Sequence, residues 1–145
     1  MAPTSARGSA RIIEALRSVP LFAHCTKREL QEIASASKII ERPAGTVLAR
    51  EGERGVGFFL IIDGHAIVTV GGRKRADVGP GQFFGEISLI DEGPRTATVT
   101  ATTPVATLGM TAWTFRGLIH DHPGIALRML EVVAGRLRAS AGANA

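Results

Sequence analysis

Cysteine is nearly absent: Cys25 is the single one among 145 residues, so no internal disulfide can form and a reducing cytoplasm suits the chain. No apolar run approaches the roughly eighteen residues a spanning helix needs, which argues against a membrane span. The short apolar piece Val19 to Ala23 is cut by Pro20 and followed by His24, so no secretory signal is expected. Basic residues are not gathered on one helix despite a net charge of +4 and a pI near 10.2, so the charge does not mark a nucleic-acid binder. The exception is Arg73-Lys74-Arg75, which follows Gly71-Gly72 and is expected at a solvated hairpin turn, with an acidic partner surface as the alternative. His24, His65, His120 and His122 show no paired spacing on one strand, so no metal ligands are expected. No serine or cysteine has a recognisable base and orienting acid near it in sequence, so no catalytic residue is expected either. A repeat of fixed period is missing too.

What is present suits one domain by size, with 45% hydrophobic and 21% charged residues, the balance of a soluble globular protein. Residues 1–8, rich in Ala, Ser, Pro and Gly, are expected to be a flexible N-terminus, 9–141 the folded body, and 142–145 a flexible C-terminus. From Ala10 to Ser18, Ile12, Ile13 and Leu16 recur at helical spacing until Pro20 stops the pattern. Thr26 and Glu29 have the form of a capping box ahead of Leu30 and Ile33, which predicts a second helix. After Ser37 the texture changes to short apolar runs at Ile39, Val47, Phe58 to Ile62, Ile67 to Val70 and Ala76 to Val78, cut by turn residues. Asp63-Gly64 between two of these runs is a strong short-range hairpin signal. A last strand is predicted over Val105 to Met110, then two helices. The first starts near Thr111, and Trp113 beside its apolar face is expected to pack in the core. On the second, Ile125, Ala126, Met129, Leu130, Val132, Val133 and Leu137 share one arc, either intramolecular core or a dimer seam. Arg136 falls inside that arc.

The stretch that organises the rest is Phe83 to Ala101, FFGEISLIDEGPRTATVTA. Gly85 follows two aromatics and opens an apolar run suited to one or two helical turns, whose free N–H groups attract a phosphate. Asp91 to Pro94 break the pattern, and a period-two segment follows with Arg95, Ala97, Val99 and Ala101 on one face. Arg95 on an apolar face requires a carboxylate or a phosphate to receive its donors; Glu86 and Asp91 are the internal candidates. Glu86 beside a phosphate would be repelled unless it accepted a hydrogen bond from the same ligand, as from a ribose hydroxyl.

GEISL followed by PRTATV resembles the phosphate-binding cassette of the cyclic nucleotide-binding domain family, found in bacterial catabolite activators, cyclic-nucleotide-dependent kinases and gated channels. The resemblance covers roughly residues 10 to 140 and implies an α+β, mainly β fold: an antiparallel jelly-roll barrel with N-terminal helices and two C-terminal helices. It implies that Glu86 accepts the ribose 2′-hydroxyl, that Arg95 pairs with the cyclic phosphate, and that the backbone of Gly85, Ile87 and Ser88 completes the cradle beside Phe84. Thr96 occupies the position where cyclic GMP-dependent kinases carry threonine and cAMP-selective kinases alanine, though cAMP-preferring channels also have threonine there. Strict alternation turns Thr96 away from Arg95 unless the strand bends after Pro94. Arg136 either snorkels at the helix end or caps the base. The expected function is a cytoplasmic sensor, not an enzyme, that binds cAMP, with cGMP a competitor, and needs no cofactor. It relays occupancy through its last helix to a protein effector or to self-association. One helix uses the residues after Pro123, so no DNA-binding module and no direct DNA contact are expected. The alternatives are a cupin-like jelly-roll metalloenzyme and a degenerate domain that serves as a protein-interaction module.

Overall fold

A computed structural model describes residues 6–54, 57–85, 89–91 and 93–141. The chain divides into two units, Met1–Ser35 with Arg116–Ala145, and Ala36–Phe115. In the first unit, α1 (Ala6–Arg17) buries Ile12, Ile13 and Leu16, the three positions whose spacing predicted it. Pro20 ends that pattern yet opens a 3-10 turn, Pro20–Phe22, with Leu21 and Phe22 fully buried. The turn packs against α1 and against α4 (Pro123–Ala141). The capping box at the start of α2 (Lys27–Ala36) forms as its sequence implies: Thr26 N–H donates to Glu29 Oε1 at 2.8 Å and Glu29 N–H to Thr26 Oγ1 at 3.1 Å.

The α4 arc is only partly buried. Ile125 and Met129 are covered, whereas Leu130 and Leu137 are 63% and 66% exposed, because at about 100° per residue both lie more than about 100° round the helix from Ile125. Three pairs link α4 and the residue before it to the α2 region: His24–Glu131 at 3.3 Å, His122–Glu32 at 3.4 Å and Arg128–Glu29 at 3.8 Å. Pairs this exposed contribute little each.

Among the described residues the second unit holds eight strands: β1 (Lys38–Arg42), β2 (Val47–Ala49), β3 (Gly57–Asp63), β4 (Ala66–Val70), β5 (Arg73–Val78), β6 (Phe83–Phe84), β7 (Thr98–Ala101) and β8 (Val105–Thr111). They form two four-stranded sheets, β1-β8-β3-β6 and β2-β7-β4-β5, with antiparallel pairs throughout. This is the expected mainly-β antiparallel architecture with flanking helices; among the described residues no ladder closes the two sheets into a barrel. Ile61 of the first sheet and Ala49, Ala66 and Val99 of the second form a shared core, with Phe84 and Val68 packed on it.

Three sequence expectations are corrected. Asp63-Gly64 does not join a hairpin: β3 and β4 belong to different sheets, and the pair makes the corner between them. A Cβ at Gly64 (φ 87) would collide with Pro104 O, so the glycine is required by the close approach of the incoming backbone as well as by its φ. Arg73-Lys74-Arg75 is edge strand rather than turn, since Val70 pairs with Arg73 and leaves only Gly71-Gly72 as the loop. Its exposed charges, with Lys74 2.9 Å from Asp77, suit an unpaired edge. Trp113 is 84% exposed on α3 (Ala112–Asp121), because Ala112, Phe115 and Leu118 define the buried stripe and Trp113 lies off it. Thr111 does cap α3, accepting Thr114 N–H at 3.1 Å.

Candidate functional site

Four strands contribute the apolar wall of a cavity of about 430 Å³: Ala49 from β2, Val68 from β4, Phe84 from β6 and Val99 from β7. Its polar side is the connection between β6 and β7, with Gly85, Asp91 and the run from Gly93 to Ala97. Alternation along β7 explains the wall: Val99 and Ala101 are buried, with Thr98 and Thr100 partly covered on the other side.

Arg95 does not lie on that strand. β7 begins at Thr98, and residues 96 and 97 bend, so the predicted period-two face extending back to Arg95 is corrected. The prolyl ring of Pro94 offers no N–H to a ladder, and the neighbouring chain is held instead by the segment between β2 and β3. Gly52 N–H donates to Arg95 O and Arg95 N–H donates to Glu53 O, each at 2.8 Å, and Arg54 bridges Pro94. The bend has a second result: Arg95 and Thr96 both line the cavity although they are adjacent in sequence.

The Arg95 side chain is half-buried. Its Nη2 donates to Gly57 O at 2.8 Å, and the guanidinium carbon lies 5.8 Å from the Phe59 ring centroid. Phe59 in turn stacks obliquely on Phe84, with centroids 5.4 Å apart. Burial pulls the guanidinium pKa below its usual value, although a guanidinium remains charged at any physiological pH. Gly85 makes this placement possible. It has φ 81, and a Cβ there would run into Arg95 Nη1 and lie 2.7 Å from Gly57 O. Only glycine satisfies both the left-handed backbone and the close guanidinium.

Of the residues singled out from sequence, Phe84, Gly85, Arg95 and Thr96 come together around one cavity. Glu86, Ile87 and Ser88 lie outside the described residues. Asp91 lines the cavity and accepts Gly93 N–H at 2.9 Å, closing a tight turn. Arg136 belongs to the helical unit and is exposed on α4. Sequence reasoning missed Ala49, Val68 and Phe59; the only signal was their apolar character in strand runs, which every core residue shares. Among the described residues no group of three or more His, Cys, Asp or Glu is placed to hold a metal ion. No helix among them is long and apolar enough to cross a membrane.

A half-buried arginine thus lies over a left-handed glycine, at the edge of an apolar cavity lined from both antiparallel sheets. Residues 39–122 match the family model of the cyclic nucleotide-binding domain. The chain belongs to this family. The domain is 37% identical over 126 residues to a cyclic nucleotide-gated potassium channel of Mesorhizobium japonicum, covering 87% of the chain and 35% of the channel. It therefore spans about a third of that relative's length. It is 31% identical over 133 residues to a CRP-like cAMP-activated global transcriptional regulator of Mycobacterium tuberculosis, covering 86% of the chain and 58% of the regulator. Among solved structures, it resembles the N-terminal domain of a transcriptional regulator from Streptomyces coelicolor A3(2). That match has TM-score 0.79 and 33% identity, and covers 87% of this chain and 94% of the other.

Proposed function

We propose that the domain binds a 3′,5′-cyclic nucleotide in the cavity beside Phe84 and Gly85, as a regulatory module rather than an enzyme. The observation that carries this reading is the Arg95 guanidinium, held over Gly85 at the rim of an apolar cavity large enough for a small organic ligand. In this reading Arg95 pairs with the cyclic phosphate and Glu86 accepts the ribose 2′-hydroxyl. The backbone N–H groups of Gly85, Ile87 and Ser88 complete the cradle, and Phe84 supports it. Val68 and Val99 supply an apolar surface for the base. Thr96, free of strand alternation, serves the sugar-phosphate side or a guanine amino group, and Arg136 caps the base.

cAMP is the favoured ligand and cGMP the competitor. A base contact made by Arg136 in only one arrangement of α4 would shift the population toward that arrangement by its differential affinity. Occupancy would then pass to a protein effector or to self-association through the apolar residues left exposed on α4, among them Leu130 and Leu137.

Calorimetric titration with cAMP and with cGMP tests the reading, followed by light scattering with and without ligand. Micromolar or tighter cAMP binding that is weakened by about 2 to 5 kcal/mol in Arg95→Ala is the expected result, the usual cost of removing one partner of a desolvated charge pair. Unchanged affinity in that variant would remove Arg95 from the site. A cGMP affinity more than about tenfold above that for cAMP, some 1.4 kcal/mol, would reverse the ligand order.

A further inference from the structure

Arg95 sits outside any regular strand, so its position depends on the segment that clamps its backbone, and that segment is itself anchored from a distance. Glu51 is the anchor. Its carboxylate accepts Gly71 N–H at 3.1 Å (Oε1) and 3.2 Å (Oε2), and the Thr98 hydroxyl at 3.3 Å (Oε1). Its own N–H donates to Thr98 Oγ1 at 3.1 Å. One side chain thus ties the β2–β3 segment to the tip of the β4–β5 hairpin and to the first residue of β7. The two residues that follow Glu51 make the Arg95 clamp, through Gly52 N–H and Glu53 O. β2 gives little support of its own, since it has three residues and its pairing with β7 shifts register between Val47 and Ala49. Glu51 is not among the residues lining the cavity.

We propose that Glu51 is a positioning residue for Arg95: its hydrogen bonds to Gly71 and Thr98 hold the clamp rigid, so that the guanidinium meets the ligand already oriented. The proposal rests on the nucleotide reading of the site. Without Glu51 the clamp must be ordered on binding, and that cost appears as lost affinity.

The test uses the full chain, wild type, Glu51→Ala and Glu51→Gln. It combines calorimetry with cAMP and amide hydrogen exchange without ligand. Glu51→Ala is expected to weaken cAMP binding roughly tenfold, in the range seen for coupling within one hydrogen-bond network. Exchange is expected to accelerate at Gly52, Gly71 and Arg95 but not in β3 or β8. Glu51→Gln keeps an Oε1 for Gly71 N–H and the Thr98 hydroxyl but puts an NH2 donor in place of the Oε2 that lies 3.2 Å from Gly71 N, so it should rescue in part, with an affinity between those of Glu51→Ala and wild type. Three outcomes would overturn the proposal: cAMP affinity unchanged in Glu51→Ala, exchange accelerated across the whole chain, or no rescue by Glu51→Gln. If wild type takes up neither cAMP nor cGMP, the reading of the site fails instead. Exchange at the Arg95 N–H then decides alone: faster in Glu51→Ala supports the positioning role, and unchanged removes it.

Discussion

The start of α2 and the segment around Arg95 both hold chain that has no regular ladder, but their partners come from very different sequence distances. At α2 the bonds join Thr26 and Glu29, three residues apart. At Arg95 the side chain reaches Gly57, 38 residues away, and Glu51 behind the clamp reaches Thr98, 47 residues away. Closing a three-residue loop needs little beyond the right residue types, so the box forms wherever a helix can begin. The Arg95 arrangement exists only after two sheets have brought β2, β3, β6 and β7 together. A helix start is therefore self-contained, while the site is a property of the assembled sheets.

Variants can separate the two cases. Arg95→Ala gives the largest expected effect, the loss of about 2 to 5 kcal/mol in cAMP affinity described above, with little change in α2. Gly85→Ala comes next. Forcing a Cβ onto a φ of 81 costs roughly 1 to 2 kcal/mol in conformation alone, and the methyl also displaces the Arg95 guanidinium. Denaturant unfolding should show the stability loss and calorimetry a matching loss of cAMP affinity. A Gly85→Ala protein that binds normally would mean that Arg95 need not sit over that glycine.

Thr26→Ala should cost about 1 kcal/mol of stability, the usual worth of a Thr cap, while cAMP affinity stays at the wild-type value. Loss of affinity there would erase the contrast between local and assembled support. A last test, by reactivity rather than by affinity, concerns Cys25, one residue before the capping box. Burial, aided by the Glu29 carboxylate and opposed by Arg128, pushes its thiol from 9.0 up to about 11. At pH 8 its alkylation should run roughly a hundredfold slower than for a free thiol and speed up as pH rises toward 11. The folded state holds this proton more tightly than the unfolded chain. The contribution to stability is therefore complete below pH 9 and declines as pH climbs from 9 toward 11. Fast alkylation at pH 8 would show Cys25 to be more open than its surroundings imply.

Much of the fold was legible because its signals are short-range. Ile12, Ile13 and Leu16 at helical spacing, Val99 and Ala101 at strand spacing, and Thr111 before α3 all do what their local pattern implies. Asp63-Gly64 shows the limit. Turn chemistry specifies that the chain reverses, but whether the next strand pairs with the last one or crosses to another sheet depends on Pro104 and Val105 arriving from much later in the chain. Trp113 was misplaced for a related reason, since an aromatic beside an apolar stripe is buried only if something covers it.

For the site, the sequence by itself determined the cast: a glycine, an acid and an arginine in a pattern that already resembled a phosphate cradle. That much is chemistry written in residue types and spacing. The tertiary structure alone decided that Arg95 leaves the strand, that Thr96 joins it at the cavity, and that Gly57, Phe59 and Glu53 fix its place. The reason is physical: a bond across some forty residues forms only after folding has brought its ends together, and nothing in the local pattern carries that information.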